Sequence, residues 1–424
     1  MPQADPIAPN IILAPPIPEP ETPQEVGPKP PTFPEHEPSP ITLSPVQSLE
    51  PAPDDIPKWR FHLGLESAIT YDDNIFIQPT QREADAEFGI TPIIAVGWGK
   101  FQADPATITG VSSRFPEIAD RAALGNAFFF RYDPTALLFA RHSDQNALNE
   151  NALLAGRWIS GRVTLTAEGR FQTSSDPNID VGNRIHSETT SGILNMNYDV
   201  MEKTTLDSRF ALEHDSYQGG LNSTDTSFST ILNYQALPKT MVGIGAGVGY
   251  TAVEDGQNQY YEQGLIHLRY VPTYKITLNL VGGAEARQIE NGPSRATPVF
   301  DLEASYAAQD STSVHLKVAR RTDTSALLEG QDFEETTIEA SVRQRIYQKL
   351  YITLSGGLQR DDYVDAGAEA NRTDNFSYFG IESSMEVTKW LGMKAAYRFQ
   401  NNDSSLAEFG FHRNLASFQF NMQF

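Results

Sequence analysis

The length, composition and charge of this chain exclude several classes of protein. It has 424 residues, no cysteine and a formal net charge of −22 at pH 7. The acidic balance argues against nucleic-acid binding, because no basic stripe can neutralise phosphates. No apolar run approaches the roughly 18 residues that a membrane-spanning helix needs, and the lack of cysteine removes disulfides and thiolate metal sites. The length fits two or three soluble domains, or one large barrel behind a tail.

The first part of the chain is rich in proline, notably at residues 14–20. Proline at this density blocks helices and ladders, so residues 1–57 are predicted to form an acidic, disordered periplasmic leader. The alternatives to a plain linker are peptidoglycan binding, occupation of the lumen and docking of a periplasmic partner. Met1 is not followed by a basic start and an apolar core, which indicates either a removed signal peptide or a late start codon.

Residues 58–424 show the alternation of a transmembrane β-barrel. Trp59, Phe61 and Leu63 share one side of the first predicted strand, opposite Arg60 and His62. Such a strand offers an apolar face to lipid and a polar face to a lumen. The sequence therefore predicts an outer-membrane barrel, in which every second side chain meets hydrocarbon.

The last stretch of the chain repeats this alternation up to the terminal residue. Its apolar side carries Phe418, Phe420, Met422 and Phe424. The terminal aromatic residue resembles the signal by which the barrel-insertion machinery recognises outer-membrane proteins. The alternative interpretation is an edge strand of a large soluble sheet.

A 36-residue period runs through the middle of the chain. Tyrosines recur at this spacing, lysines follow the first three at a constant offset, and two tryptophans occupy equivalent places. These residues are Tyr198, Tyr234, Tyr270 and Tyr306, then Lys203, Lys239 and Lys275, and finally Trp158 and Trp390. One hairpin per period, with a short periplasmic turn, would place the aromatic rings in the inner interfacial girdle.

Counting strands by these signals gives a total of eighteen. Asp133-Pro134 fits either a tight turn or a bulge in one long strand, and a bulge is chosen because it gives an even count. The stretch 102–120, which contains two prolines, is an ambiguous insertion. Even parity places both chain ends in the periplasm, and a barrel of about 18 strands is expected to leave an aqueous channel.

Several short motifs resemble the beta-barrel porin family of Gram-negative outer-membrane proteins. They are Thr70-Tyr71-Asp72-Asp73-Asn74-Ile75, Leu154-Ala155-Gly156-Arg157, Val342-Arg343-Gln344-Arg345 and Leu354-Ser355-Gly356-Gly357-Leu358. Their order along an alternating chain carries the resemblance, which extends from about residue 58 to the end. It implies an outer-membrane barrel, but no substrate and no catalytic residue. The leader and the 102–120 insertion depart from the pattern.

The polar face of the strands is predicted to line a pore with two charged walls. The basic wall comprises His315, Lys317, Arg321, Arg343, Arg345, Arg287, Lys394 and Arg398, and the acidic wall comprises Glu285, Asp301, Glu303, Glu382 and Glu386. Opposed walls would produce a transverse field that orients small polar solutes. The alternative is a lattice of ion pairs. Gly243, Gly245, Gly247 and Gly249 lie on the same face, where they either leave room for an inward segment or ease curvature.

Other sites have weaker signals. The acidic exterior loops at Asp72-Asp73, 329–335 and Asp361-Asp362 with Asp365 could share divalent cations with lipopolysaccharide, but none has calcium-ligand spacing. Glu213-His214-Asp215 and Asp361-Asp362 resemble, in residue type alone, the His-Asp and Asp-Asp pairs of omptin proteases. No nucleophile elbow, phosphate loop or zinc-binding helix is present in the sequence. The chain is therefore predicted not to be an enzyme, and no metal or cofactor is expected.

The sequence as a whole predicts an all-β, 18-stranded antiparallel transmembrane barrel in the cell outer membrane. Its expected function is a porin-like channel for passive or weakly selective diffusion of small hydrophilic solutes. The alternatives are a conduit for extracellular polysaccharide export and a closed structural or surface-binding barrel. Expected partners are outer-membrane lipid, lipopolysaccharide, the insertion machinery and small polar solutes, and a homo-oligomer is an open alternative.

Overall fold

The computed structural model is a closed barrel of antiparallel strands. It describes residues 59–101, 123–254, 256–290, 292, 294–326, 332–364 and 372–424. The predicted leader at 1–57 and the predicted insertion at 102–120 lie outside the described residues. In the part of the chain described, no helix is long and apolar enough to cross a membrane.

Eighteen strands form the described wall, as the sequence predicts. The strands are β1 Trp59–Asp72, β2 Asp85–Phe101, β3 Ala123–Tyr132 with Thr135–Phe139, β4 Ala147–Asn149 with Asn151–Ser160, β5 Val163–Ser174, β6 Ser187–Met201, β7 Thr204–Tyr217, β8 Ser223–Leu237, β9 Thr240–Val253, β10 Gln259–Thr273, β11 Ile276–Ile289, β12 Ser294–Gln309, β13 Thr312–Thr324, β14 Asp332–Tyr347, β15 Leu350–Val364, β16 Thr373–Glu386, β17 Leu391–Ser404 and β18 Phe411–Gln423. Short turns alternate with longer loops, and the longer loops mark the exterior mouth.

The first and last strands close the barrel. β1 pairs with β18 from Gly64 opposite Gln423 to Asp72 opposite Leu415. Closure matters because an unpaired strand edge in hydrocarbon would leave backbone groups without partners. The amphipathic C-terminal strand is therefore part of a cylinder and not the edge of a soluble sheet.

Polar residues at the end of β1 anchor the closing strand. The Arg413 guanidinium donates two hydrogen bonds to the Asp72 carboxylate, at 2.6 and 2.9 Å. The Asn414 amide donates to the Asp73 carboxylate at 2.7 Å, and the Asn74 amide donates to a backbone carbonyl of β18 at 3.1 Å. This part of the sequence motif therefore holds the seam of the barrel together.

The third strand is interrupted at Asp133-Pro134, and both of its segments pair with β2. Pro92 of β2 lies between the two paired stretches, so prolines on both strands fall where the ladder is broken. Arg131 and Asn151 donate to the Asp133 carboxylate at 2.8 and 3.0 Å and so cover the interruption. The register is the same on both sides of the interruption, so the prediction of one strand in place of a tight turn is confirmed, but no extra residue forms the predicted bulge.

The outer face of the barrel is apolar. The predicted girdle residues are 36–53% exposed and lie beside the short turns; they are Trp158, Tyr198, Tyr234, Tyr270, Tyr306 and Trp390. Phe418 and Phe424 of the last stretch are also exposed. A closed antiparallel barrel with an apolar outer band and aromatic girdle is an outer-membrane architecture. The protein is accordingly an outer-membrane β-barrel.

Candidate functional site

Charged side chains on the lumen face lie close to one another as well as to the bore. Arg287 donates to Glu285 at 2.8 Å, and both side chains are buried. The Lys394 ammonium lies 2.8 Å from the Glu382 carboxylate. Arg321 lies 3.1 Å from Glu335, a lumen carboxylate that the predicted acidic wall did not include. These contacts have the geometry of an ion-pair lattice, since basic and acidic groups alternate along the wall.

Two further members of the predicted basic wall cover tyrosine rings. The Arg343 guanidinium lies 4.3 Å from the centre of the Tyr351 ring, and the Arg398 guanidinium lies 4.0 Å from the centre of the Tyr378 ring. The Tyr378 hydroxyl donates to Glu339 at 2.9 Å. Stacking on an aromatic face orients each guanidinium beside the bore.

The register places most of the other predicted wall residues on the neighbouring strands β12, β13 and β14, and Glu386 on β16. Lys317 of β13 lies opposite Glu303 of β12, and His315 lies opposite Ser305 and within hydrogen-bond distance of its hydroxyl at 3.2 Å. Glu386 lies at the periplasmic rim, where it is 3.6 Å from Lys349. The remaining residues are Asp301 of the predicted acidic wall, which lies opposite Ala319, and Arg345 of the predicted basic wall, which lies opposite Tyr351.

The glycine stripe of β9 is covered by side chains from both neighbouring strands. A Cβ added at Gly243 would meet the Asn233 amide, and one added at Gly249 would meet the Tyr261 ring. A Cβ at Gly245 would meet Ile231. The space predicted for an inward segment is thus occupied by the wall itself.

A belt of polar side chains crosses this stripe. The amides of Asn197 and Asn233 both donate to the Asp207 carboxylate. The His267 ring lies between Asn233 and Asn279, with nitrogen-to-oxygen distances of 2.7 and 2.9 Å. The belt joins β6, β7, β8, β10 and β11, and it passes β9 at Gly243, where no side chain intervenes.

The loop between β1 and β2, residues 73–84, folds into the mouth of the barrel. Ile75 and Ile77 are almost completely buried, with exposed fractions of 0% and 1%. Ile75 packs against Leu137 and Phe139, and Ile77 packs in a second cluster against Phe376 and Phe411 of the lumen wall. Ile77 has a φ of 50°, a left-handed conformation that branched residues rarely adopt.

The loop between β5 and β6, residues 175–186, crosses the mouth to the far side. Backbone carbonyls of Ile179 and Asp180 accept hydrogen bonds from Arg372 at 2.9 and 2.7 Å. The Asp180 carboxylate accepts from the backbone N–H of Ala326 at 2.7 Å and from the Ser325 hydroxyl at 3.1 Å. Burial raises the pKa of the Asp180 carboxyl, and a hydrogen bond from Tyr363 and the charge of Arg372 oppose that rise.

Arg372 is the main anchor of this crossing loop. Its side chain is fully buried and donates to Asp374, which is also fully buried, at 3.0 Å. Its guanidinium lies 4.5 Å from the centre of the Tyr363 ring and 3.5 Å from that of Phe409. A Cβ at Gly182, which has a φ of 71°, would meet the same Phe409 ring at 2.8 Å. Sequence reasoning missed this cluster, although the Arg372-Thr373-Asp374 spacing is visible in the chain.

The loop after β3 is held by a histidine between two carboxylates. The His142 ring nitrogens lie 2.8 Å from Asp85 and 2.7 Å from Glu83. The hydrogen bond to Asp85, followed by that to Glu83, raises the pKa of His142. Protonated imidazole donates from both nitrogens, so it can bond both carboxylates at once.

The acidic motifs with a resemblance to omptin proteases do not form catalytic pairs here. His214 and Asp215 are adjacent in β7, so their side chains lie on opposite faces of the wall. His214 lies 2.9 Å from Thr224, whereas Asp215 accepts from Thr189. Asp361 and Asp362 are likewise adjacent in β15, so their side chains also lie on opposite faces of the wall. Within the described ranges, no group of three or more potential ligands is placed to hold a metal ion.

No protein-family model matches the chain, and no curated protein matches it. Among solved structures, it is similar to Acinetobacter baumannii OccAB3, at 10% identity and a TM-score of 0.43, over 86% of this chain and 99% of that one. The outer membrane protein opdK from Pseudomonas aeruginosa gives the same identity, coverage and score. Pseudomonas aeruginosa OccK3 (OpdO) is 11% identical with a TM-score of 0.42, over 86% of this chain and 95% of that one. The closed 18-stranded barrel confirms the architecture that the resemblance to the beta-barrel porins implied.

Proposed function

We propose that the protein is an outer-membrane channel for passive or weakly selective diffusion of small hydrophilic solutes. The observation that carries this proposal is a closed 18-stranded barrel whose lumen face bears charged and hydrogen-bonding side chains on nearly every strand. Barrels of roughly 16 to 18 strands are wide enough to enclose water. The inward loops at the mouth would limit the solutes to small ones.

The predicted wall residues would act on solutes through short-range contacts. Paired charges such as Arg287 with Glu285 cancel at a distance, which weakens the transverse field expected from the sequence. Guanidiniums stacked on tyrosines, such as Arg398 on Tyr378, keep positive charge near the bore. A solute with hydroxyl or carboxylate groups would exchange part of its hydration for contacts with the polar side chains of the wall.

Planar-bilayer recording of the purified full-length protein tests the proposal. We expect discrete conductance steps that scale with salt concentration. A complete absence of steps would contradict the channel and favour a closed structural barrel. That second function is supported by the loop at 175–186, which crosses the mouth and is fixed at Arg372.

Deleting residues 1–57 separates the channel from the polysaccharide conduit. A diffusion channel should keep its conductance without the leader, whereas a conduit docked to a periplasmic complex should lose polysaccharide export in cells.

A further inference from the structure

The wall of the barrel is interrupted on one side of the mouth. β12 and β13 pair up to Phe300 opposite Arg320. Beyond that point β12 continues to Ser294 and β13 to Thr324, and no residue of either stretch pairs across the gap. The ladder between β11 and β12 and the ladder between β13 and β14 both continue to the ends of these strands. At this mouth, no other ladder between described strands stops so far short.

A proline explains why the ladder stops there. The backbone N–H of Ala307 donates toward β11, to Lys275. Alternate residues of a strand direct their N–H groups to opposite neighbours, so even-numbered residues of β12 face β13. Pro298 is one of these and has no N–H to donate, as is typical of a strand edge.

The β13–β14 hairpin leans into the bore and away from β12. The Gln259 amide of β10 donates to Asp332, the first residue of β14, at 2.5 Å. Ala326, just after β13, bonds to Asp180 of the loop that crosses the mouth. Ala326 and Asp332 therefore contact the crossing loop and β10 inside the cylinder, which leaves the gap behind them.

The gap begins at the depth of the membrane. Pro298 is eight residues along β12 from Tyr306 of the inner girdle. At about 3.3 Å per residue and a tilt near 40°, this is roughly 20 Å along the membrane normal. The apolar band of such barrels is about 25 Å tall, so the gap runs from the outer edge of the hydrocarbon to the lipid head groups.

An ion cluster spans the gap in place of backbone hydrogen bonds. Glu334 of β14 accepts a hydrogen bond from Arg320 of β13 and lies 3.8 Å from Arg295 of β12. The guanidiniums of Arg295 and Arg320 thus converge on one carboxylate at head-group level. Below it, Pro298 and Phe300 present apolar surface. Unpaired backbone at this depth is costly unless another molecule covers it.

We propose that the gap between β12 and β13 is a lateral portal through which an anionic amphipathic molecule enters the bore from the outer leaflet. The molecule would have an acyl chain that lies against Pro298 and Phe300. Its phosphate or carboxylate head would replace Glu334 beside Arg295 and Arg320. This activity goes beyond diffusion of hydrophilic solutes through the mouth and does not require it.

The absence of cysteine from the chain allows a clean test. A Pro298→Cys, Thr322→Cys variant, bridged by a short thiol cross-linker, closes the gap. In vesicles that contain the full-length protein, radiolabelled dodecyl phosphate added outside is captured by albumin trapped inside. We expect the unmodified protein to accelerate capture, and the bridge to reduce capture to the level of protein-free vesicles.

A matched pair on the same strands provides the control. Leu302 and Val318 are opposite each other within the intact ladder, so a bridge from Leu302→Cys to Val318→Cys should leave capture unchanged. Glu334→Gln, which weakens the ion cluster without a cross-link, should increase capture. The portal is overturned if the unmodified protein gives no capture above protein-free vesicles, or if the gap bridge leaves capture intact. Arabinose-driven swelling of the same vesicles reports the hydrophilic channel separately.

Discussion

Single residues at the mouth decide whether its loops stay in place. Arg372 combines two backbone acceptors, a buried carboxylate and two aromatic faces. A fully buried guanidinium is stable only when its donors are satisfied. The loop at 175–186 supplies backbone carbonyls that accept hydrogen bonds from Arg372, so the loop and the buried guanidinium stabilise each other.

Replacing Arg372 should loosen the mouth. Arg372→Ala leaves the Asp374 carboxylate buried without its guanidinium, at a cost of about 3–5 kcal/mol. We expect a lower free energy of unfolding in urea and a larger single-channel conductance, because the crossing loop loses its anchor. Arg360→Ala is the matched control, since Arg360 also bonds a carboxylate two residues on, but is exposed. Equal conductance in both variants would show that Arg372 does not hold the loop.

His142 should make the adjoining loop sensitive to pH. Its pKa is raised in the folded protein, so the imidazolium stabilises the loop fully below its ordinary pKa of about 6.5. That contribution is lost as the pH rises through the raised value. We expect hydrogen exchange at residues 140–146 to be slower at pH 5 than at pH 9, after correction for intrinsic rates. The His142→Gln variant should lose this difference, and an unchanged difference would contradict the assignment.

At the scale of the element, β9 leaves room for the side chains of the two neighbouring strands. Its glycines have no side chains, so Asn233 and Tyr261 lie over them and connect β8 with β10. The sequence pattern identified the lumen side of this strand. It did not identify the occupant, because the neighbouring side chains come from other strands and their direction depends on barrel curvature.

Adding one methyl group to this stripe should disturb the packing. In Gly249→Ala the new Cβ would overlap the Tyr261 ring, at a typical overpacking cost of about 1–3 kcal/mol. We expect a reduced fraction of heat-modifiable, folded protein on electrophoresis after refolding. Gly264→Ala, on the adjacent strand with open space around it, should refold like the parent. Similar refolding of both variants would mean that Tyr261 moves aside freely.

At the scale of the whole molecule, the seam between β1 and β18 makes the sheet a cylinder. Asp72, Asp73 and Asn74 extend the backbone ladder with side-chain bonds to the last strand. The motif that carried the family resemblance thus has a physical role in closure. Its position at the mouth also connects the seam to the inward loop at 73–84.

Loss of a seam carboxylate should make closure less stable. In Asp73→Ala the Asn414 side chain and backbone lose their acceptor, which should cost about 1–3 kcal/mol. We expect the unfolding midpoint in urea to fall. The exposed Asp403 of β17 provides a control, and Asp403→Ala should change stability by no more than about 0.5 kcal/mol. An unchanged midpoint for Asp73→Ala would show that the backbone ladder alone holds the seam.

The sequence by itself determined the strands, their faces and their even number. The strands and their faces follow from the alternation of apolar and polar residues, which is a local property of the chain. The 36-residue spacing of the tyrosines from Tyr198 to Tyr306 marks successive hairpins in the same way. Pro298, and the apolar Ile75 and Ile77 in a polar loop, are visible in the sequence as well. Their structural roles could not be predicted, because they depend on contacts with residues far away in the chain. Only the tertiary structure decided that a loop crosses the mouth to Arg372 and that one ladder stops at Phe300. Contacts between residues nearly 200 positions apart depend on closure and curvature, which no local pattern records.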